Sequence, residues 1–250
     1  MIKFFRKIRY NLMEQNKTGK YLKYAIGEIV LVMIGILLAL QVNNWNSNRI
    51  EQETITNYYE RIIIELDEEI VKANLRKKDI DTLIVMNRRA LNILNSKNID
   101  SLNTLKTLLG ATATNWTEQY SFPITNEFIN QDYLAKIKND SLKMTFKIFS
   151  GFLEYVEQIN EVNNVQYQNA IEPFFIKNIN YSQTALKKYR NDLIQGGPKT
   201  DLELLFDNLE IWNIITFKLE LLNIESEVSY SAIYIFESHK SMIKNELNKK

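Results

Sequence analysis

Residues 24–42 read YAIGEIVLVMIGILLALQV, nineteen positions interrupted only by Glu28 and Gln41 and apolar without a break over 29–40. At the helical rise this run reaches about 28 Å, the thickness of a bilayer's hydrocarbon core. A core helix of that length would normally keep a polar face, and here there is none. The pattern therefore predicts a transmembrane helix. A cleaved signal peptide shares the basic leader and the apolar stretch. Against it, the run is long, and Ala39-Leu40-Gln41 lacks the small-x-small cleavage signature.

Beyond the run the periodicity changes. Ile55, Tyr59, Ile62, Leu66, Ile70 and Ala73 recur every three or four positions, and the row resumes at Ile80, Leu83, Ala90, Leu91 and Leu94. With no Gly or Pro between Ile36 and Leu109, one helix is expected to run to about Asn95 as a stalk, with any bend at the Asn-rich stretch 43–48.

Later elements are shorter. Ser101 is expected to open a helix that Gly110 stops. Residues 111–124 read as a loop that folds Trp116, Tyr120 and Phe122 inward. Asp140 or Ser141 is the expected cap of a second long helix carrying Leu142, Phe146, Phe149, Leu153, Val156 and Ile159, ended by Glu172-Pro173. A helix over 182–194, closed by Gly196-Gly197-Pro198, precedes a last one capped by Thr200 or Asp201. Its row is Leu202, Leu205, Leu209, Trp212, Ile215, Leu219 and Leu222, continuing to Ala232 and Phe236. The fold class is all-α: a transmembrane helix, a long stalk helix and an extracytoplasmic helical bundle. The segments are 1–23, a basic cytoplasmic leader; 24–42, the membrane helix; and 43–250, the exported domain.

Composition supports this reading. Only 7 Gly and 3 Pro occur in 250 residues, too few for a turn-rich β fold. The absence of cysteine removes disulfides, thiolate metal sites and thiol nucleophiles. The net charge of +1 conceals an asymmetry. Lys3, Arg6, Lys7, Arg9, Lys17, Lys20 and Lys23 precede the apolar run, and only Arg49 follows it closely. The positive-inside rule then places the N-terminus in the cytoplasm and the bulk of the chain outside it. A basic excess confined to a leader argues against a nucleic-acid partner. Ile2, Phe5, Ile8 and Leu12 between those bases have the spacing of a helix lying on an anionic leaflet, or are incidental to a charged leader.

Four residues of the run are candidates for helix association, and three aromatics for interface anchoring. Gly27, Gly35 and Ala39 lie on one i, i+4 row with Leu31, and small residues let a second helix approach closely. The Glu28 carboxylate, one turn inside the boundary, either reaches back toward Lys23 and the headgroups or pairs with a group on another membrane protein. Tyr21, Tyr24 and Trp45 fall at the two interfaces. The implied partners are the lipid bilayer and either a homo-oligomer or another membrane protein.

The segment KTGKYLKYAIGEIVLVMIGILLALQVNNWNSNRIE, residues 17–51, with the opening MIKFFRKIR, resembles the N-terminus of an uncharacterised family of helical membrane-anchored proteins from Bacteroidetes-type Gram-negative bacteria, known only as a domain of unknown function. IKNDSLK at 137–143, after Phe122-Pro123, is similar to the start of a long helix in such proteins. The resemblance implies a bacterial inner-membrane anchor and a periplasmic helical domain. It carries over no activity and no cofactor.

Motifs for chemistry are few. His239 is the single histidine, which removes paired Glu-x-x-His sites, and near the end of the last helix it is expected to be exposed or facing the helix dipole. Glu65, Asp67, Glu68 and Glu69 read as a solvated face rather than a calcium site. Most of the 13 Tyr and 12 Phe fall at core spacing rather than in a ligand pocket. The expectation is an interaction or scaffold protein and not an enzyme. A ligand-sensing bundle acting through a partner is the alternative, and a hydrolase with an unrecognised carboxylate pair is a third reading.

Overall fold

The computed structural model describes Arg6, Tyr10 and residues 18–115, 117 and 119–249, and leaves the side chains of Thr18, Lys20 and Tyr21 undescribed. The amphipathic reading of Ile2, Phe5, Ile8 and Leu12, and the inward Trp116, lie outside those residues. Every regular element among them is helical: α1 Thr18–Ser96, α2 Leu102–Thr112, α3 Pro123–Asn130, α4 Tyr133–Lys136, α5 Asp140–Gln166, α6 Glu172–Asn178, α7 Tyr181–Thr184, α8 Lys187–Arg190 and α9 Leu209–Leu247. Short 3₁₀ turns occupy Ile99–Ser101 and Glu203–Leu205. The chain forms two compact units, Met1–Asn57 and Tyr58–Lys250.

In the first unit the described chain is helix. It passes through 43–48 without a break, so the expected bend is not a break in hydrogen bonding. The apolar window near its start is long and apolar enough to cross a membrane, and none of it is buried.

In the second unit three long helical segments carry the core. On α1, Tyr59, Ile62, Leu66, Ile70, Ala73, Ile80, Leu83, Ala90 and Leu94 are buried, the row read from the sequence. Lys240 Nζ reaches Asp67 Oδ1 at 2.8 Å and Ser226 Oγ donates to Asp81 Oδ1 at 3.0 Å, so α9 runs antiparallel to this part of α1. His239 meets Thr145 and Asn163 meets Glu225, so α5 is antiparallel to α9 in turn. One end of the core is aromatic, with Phe122 against Phe149 at 4.6 Å and against Phe236 at 5.0 Å. The other gathers Leu94, Leu105, Leu109, Phe174, Phe175, Ile211 and Ile215.

Several boundaries depart from expectation for identifiable reasons. Gly110 does not stop α2; it lies inside the helix because the backbone of 184–186 crosses it. A Cβ there would stand 2.4 Å from the Thr184 carbonyl oxygen and 2.7 Å from the Leu186 nitrogen. That crossing also breaks the helix expected over 182–194. Ala185 and Leu186 take extended ψ of 151° and 142° and bury their side chains, leaving only the short α7 and α8.

Asn139, not Asp140 or Ser141, caps α5, its Oδ1 accepting from the Ser141 and Leu142 amides. The buried row of α5 uses Phe152 and ends on Asn163, while Leu153 and Ile159 are only partly covered. Glu172-Pro173 does not end the helical path. A π turn, Tyr167–Ile171, precedes it, and the Glu172 amide bonds five residues back to the Tyr167 carbonyl. The widened turn relieves the clash between a proline ring and the carbonyl four residues earlier, and the chain continues as α6.

Asn208 caps the last helix by accepting from the Ile211 amide, not Thr200 or Asp201. Thr200 instead accepts from the Asn180 amide, and Asp201 from that of Glu203. With α9 starting at Leu209, its buried row is Ile211, Ile214, Ile215, Lys218 and Leu222. Leu209 and Trp212 are left exposed.

Candidate functional site

Association candidates of the first unit sit on the surface of one helix. A Cβ built on Gly27 or Gly35 meets nothing within 4 Å, Ala39 is exposed, and Glu28 is partly covered. Tyr24 and Trp45 are exposed. Tyr21 is helical in backbone, but its side chain lies outside the described residues.

In the second unit the unusual chemistry lies inside. Glu65 and Glu69 are buried, which overturns the solvated-face reading of the acidic cluster. They fall one position before Leu66 and Ile70 and so share the buried side of α1. Glu65 holds the start of α3. Oε1 accepts from the Ile124 amide at 2.7 Å, while Oε2 accepts from the Thr125 amide at 3.1 Å and from its hydroxyl at 2.6 Å. A carboxylate on these unsatisfied amides does the work of a cap from a distant helix. Pro123, at the first position of α3, has no N–H to satisfy. Glu69 Oε1 meets Lys72 Nζ at 2.5 Å, a pairing that holds the ammonium pKa above its ordinary value, while buried Oε2 has no partner. A groove of about 370 Å³ runs past Arg61, Glu65, Glu68, Glu69, Lys72 and Ile124.

A second polar level lies between α5 and α9. Lys218 and Glu225, one heptad apart, are 2% and 3% exposed, and the Asn163 amide nitrogen donates to the Glu225 carboxylate. Burial pushes the Lys218 ammonium pKa down, opposed by Glu225 and reinforced by the charge of Arg76. The Asn163 and Gln166 side-chain carbonyl oxygens are buried without partners. Buried titratable groups with displaced pKa values are where functional sites are sought, although structural ion pairs share the signature.

His239 is the third such group and contradicts its expected exposure: it is 1% exposed. It continues the Ala232 and Phe236 row, so the core takes it in. The Thr145 hydroxyl donates to the Leu142 carbonyl at 2.8 Å, so its oxygen accepts the His239 Nδ1 proton at 2.8 Å. Nε2 is therefore the bare nitrogen, buried with no donor. The rings of Phe146 and Phe149 lie 4.3 and 5.2 Å away, and this apolar wall pushes the imidazole pKa down to about 4.

A wider cleft of about 510 Å³ separates the 119–122 segment from α5, lined by Gln119, Phe122, Asn126, Val156, Glu157 and Asn160. No cluster of three or more His, Asp or Glu that could hold a metal occurs among the described residues. Sequence reading missed Glu65, Glu69, Lys218, Glu225 and Asn163 as interior residues. The signal was present: each is polar at a register where its helix buries its row.

Fold and site together define an all-α protein that buries four charged side chains, Glu65, Glu69, Lys218 and Glu225, and the His239 imidazole among its described residues. Comparison with known proteins finds no family model, no curated protein and no solved structure that matches this chain.

Proposed function

We propose that this chain is a single-pass protein of a bacterial inner membrane. Residues 24–42 cross the bilayer, the N-terminus is cytoplasmic, and 43–250 form a periplasmic helical bundle that binds a protein partner or scaffolds an envelope complex. The observation that carries this reading is the surface of 29–40, where ten large apolar side chains, Ile29 to Met33 with Ile34, Ile36, Leu37, Leu38 and Leu40, are each 41–65% exposed. Covering the exposed half of such a side chain is worth about 1 kcal/mol, so water around this helix would cost on the order of 10 kcal/mol. Lipid removes that cost. The basic leader and the resemblance of residues 17–51 to an anchored family support the same placement.

Interaction is favoured over catalysis because the titratable groups that stand out face the interior. His239 is walled by phenylalanines, Glu65 is committed to α3, and Glu225 to Asn163. The test is fractionation with topology reporting. The chain is expected to stay with membranes through alkaline extraction, and a phosphatase fused after Lys250 to be active. Release without detergent, or a fusion active only in the cytosol, refutes the placement.

The 510 Å³ cleft favours a second reading, a ligand-sensing bundle acting through a partner, because polar Gln119, Asn126 and Asn160 line it together with Phe122 and Val156. A thermal-shift screen separates the two, since a ligand of the folded state raises the melting temperature.

A further inference from the structure

The row that α5 turns away from the interior is as regular as the row it buries. Met144, Ile148, Tyr155, Val162 and Val165 are 46–56% exposed, and exposed Gly151 and Gln158 complete a spacing of four and three through three heptads. A helix packed on one side only would carry polar residues there. Sustained four-three spacing is the pattern of a seam between two helices.

We propose that this outward row of α5 is a parallel homodimer seam, on which a second copy of the chain lays its own α5. The proposal deepens the membrane reading above and rests on it for the confinement of both copies to one membrane; the parallel alignment is part of the proposal and is tested below.

Charge decides which surface takes the second copy. In a parallel pair each seam residue meets its own counterpart, and the α5 row holds no ionised group. The other outward apolar row, Ile64, Val71, Leu75 and Val85 on α1, has Glu68 and Lys78 at its intervening positions. Self-apposition there would set carboxylate against carboxylate and ammonium against ammonium.

Shape points the same way. A Cβ on Gly151 meets nothing within 4 Å, so the two backbones can close at mid-seam. Gln158 sets one amide against its counterpart, a single polar position that fixes register. Seam and flanks come to roughly half the residues that a standard interface uses on each side. Such a contact is weak in solution. Confinement of two anchors to one membrane raises the effective concentration that closes it.

The chain has no cysteine, so one engineered thiol reports cleanly. In native membranes under mild oxidation, full-length Tyr155→Cys is expected to form a disulfide dimer of twice the chain mass, and Glu157→Cys, exposed but off the row, to stay monomeric. Adding Ile148→Glu and Val162→Glu to Tyr155→Cys is expected to abolish the dimer band with an unchanged helical circular dichroism spectrum. A Tyr155→Cys chain that remains monomeric overturns the seam. So does equal linking at Glu157→Cys. Because Tyr155 lies at mid-row and meets itself in either direction, Ile148→Cys tests the alignment and is expected to link to itself. Linking only when Ile148→Cys and Val162→Cys chains are mixed is the antiparallel pattern and overturns the parallel seam. Recovery of the chain in the soluble fraction without detergent overturns the membrane reading instead, and a Tyr155 disulfide would then still stand for the seam.

Discussion

Acid should unfold this protein through His239, in an amount set by how the imidazole is held. Above pH 6.5 the ring is neutral in both folded and unfolded chains and contributes nothing to the pH slope. Below 6.5 the unfolded chain takes a proton that the folded chain refuses until about pH 4, because the imidazolium would be buried among Phe146 and Phe149 with no acceptor for its Nε2 proton. The unfolded state binds more protons across that window, so stability falls as pH falls. The shift from 6.5 to about 4, at 1.36 kcal/mol per pKa unit, amounts to about 3 kcal/mol, most of which has gone by pH 4.5. Carboxylates add their own acid losses, so the informative quantity is a difference. Urea unfolding of the wild type and of His239→Phe in mild detergent, followed by circular dichroism from pH 7.5 to 4.5, should give curves that converge by roughly that amount. Parallel curves would refute the reasoning, because they would mean that the ring titrates alike in both states.

Three further outcomes follow from contacts described above. Gly110→Ala, which by helix propensity alone should stabilise α2 by about 1 kcal/mol, is expected to destabilise by 3 kcal/mol or more, because its Cβ would press into the 184–186 backbone; a raised melting temperature would disprove the close approach. Glu65→Ala should cost about 2–3 kcal/mol and raise amide hydrogen exchange at Ile124 and Thr125, with Glu65→Gln milder because it keeps one acceptor. Lys218→Met alone should cost more than Lys218→Met with Glu225→Gln, since the single change removes a buried positive charge that offsets the buried Glu225 carboxylate; additive losses in a double-mutant cycle would show that the two charges are uncoupled.

Long helices were legible because periodicity is a property of the chain alone. The α1 row from Tyr59 to Leu94 and the α5 row at Leu142, Phe146, Phe149 and Val156 could be read directly. What escaped was set by distant contacts. Gly110 reads as a stop until the 184–186 backbone is seen against it, and the break at Ala185 is the other half of that crossing. Glu65 looks solvated until α3 supplies three donors, and α3 itself, eight residues behind a proline, is too short to show a period. His239 at the end of a helix invites a dipole argument, yet it stands three positions after Phe236 on the buried row. The outward row of α5 was hidden by its neighbour. The buried row of that helix could be read directly, but nothing in the sequence marked the apolar residues on the other face as left uncovered.

The π turn at Tyr167–Ile171 gives the chain a local tolerance in length. A five-residue turn holds about one residue more than an α turn, so the helical path carries a spare position just before Pro173. Elsewhere in α5 the loss of a residue would rotate everything downstream by about 100° and swing Phe174 and Phe175 out of the core. Shortening the π turn by one residue would convert it to an α turn and leave those two rings where they are. Insertions and deletions among homologous chains should therefore collect at this point rather than along the helix.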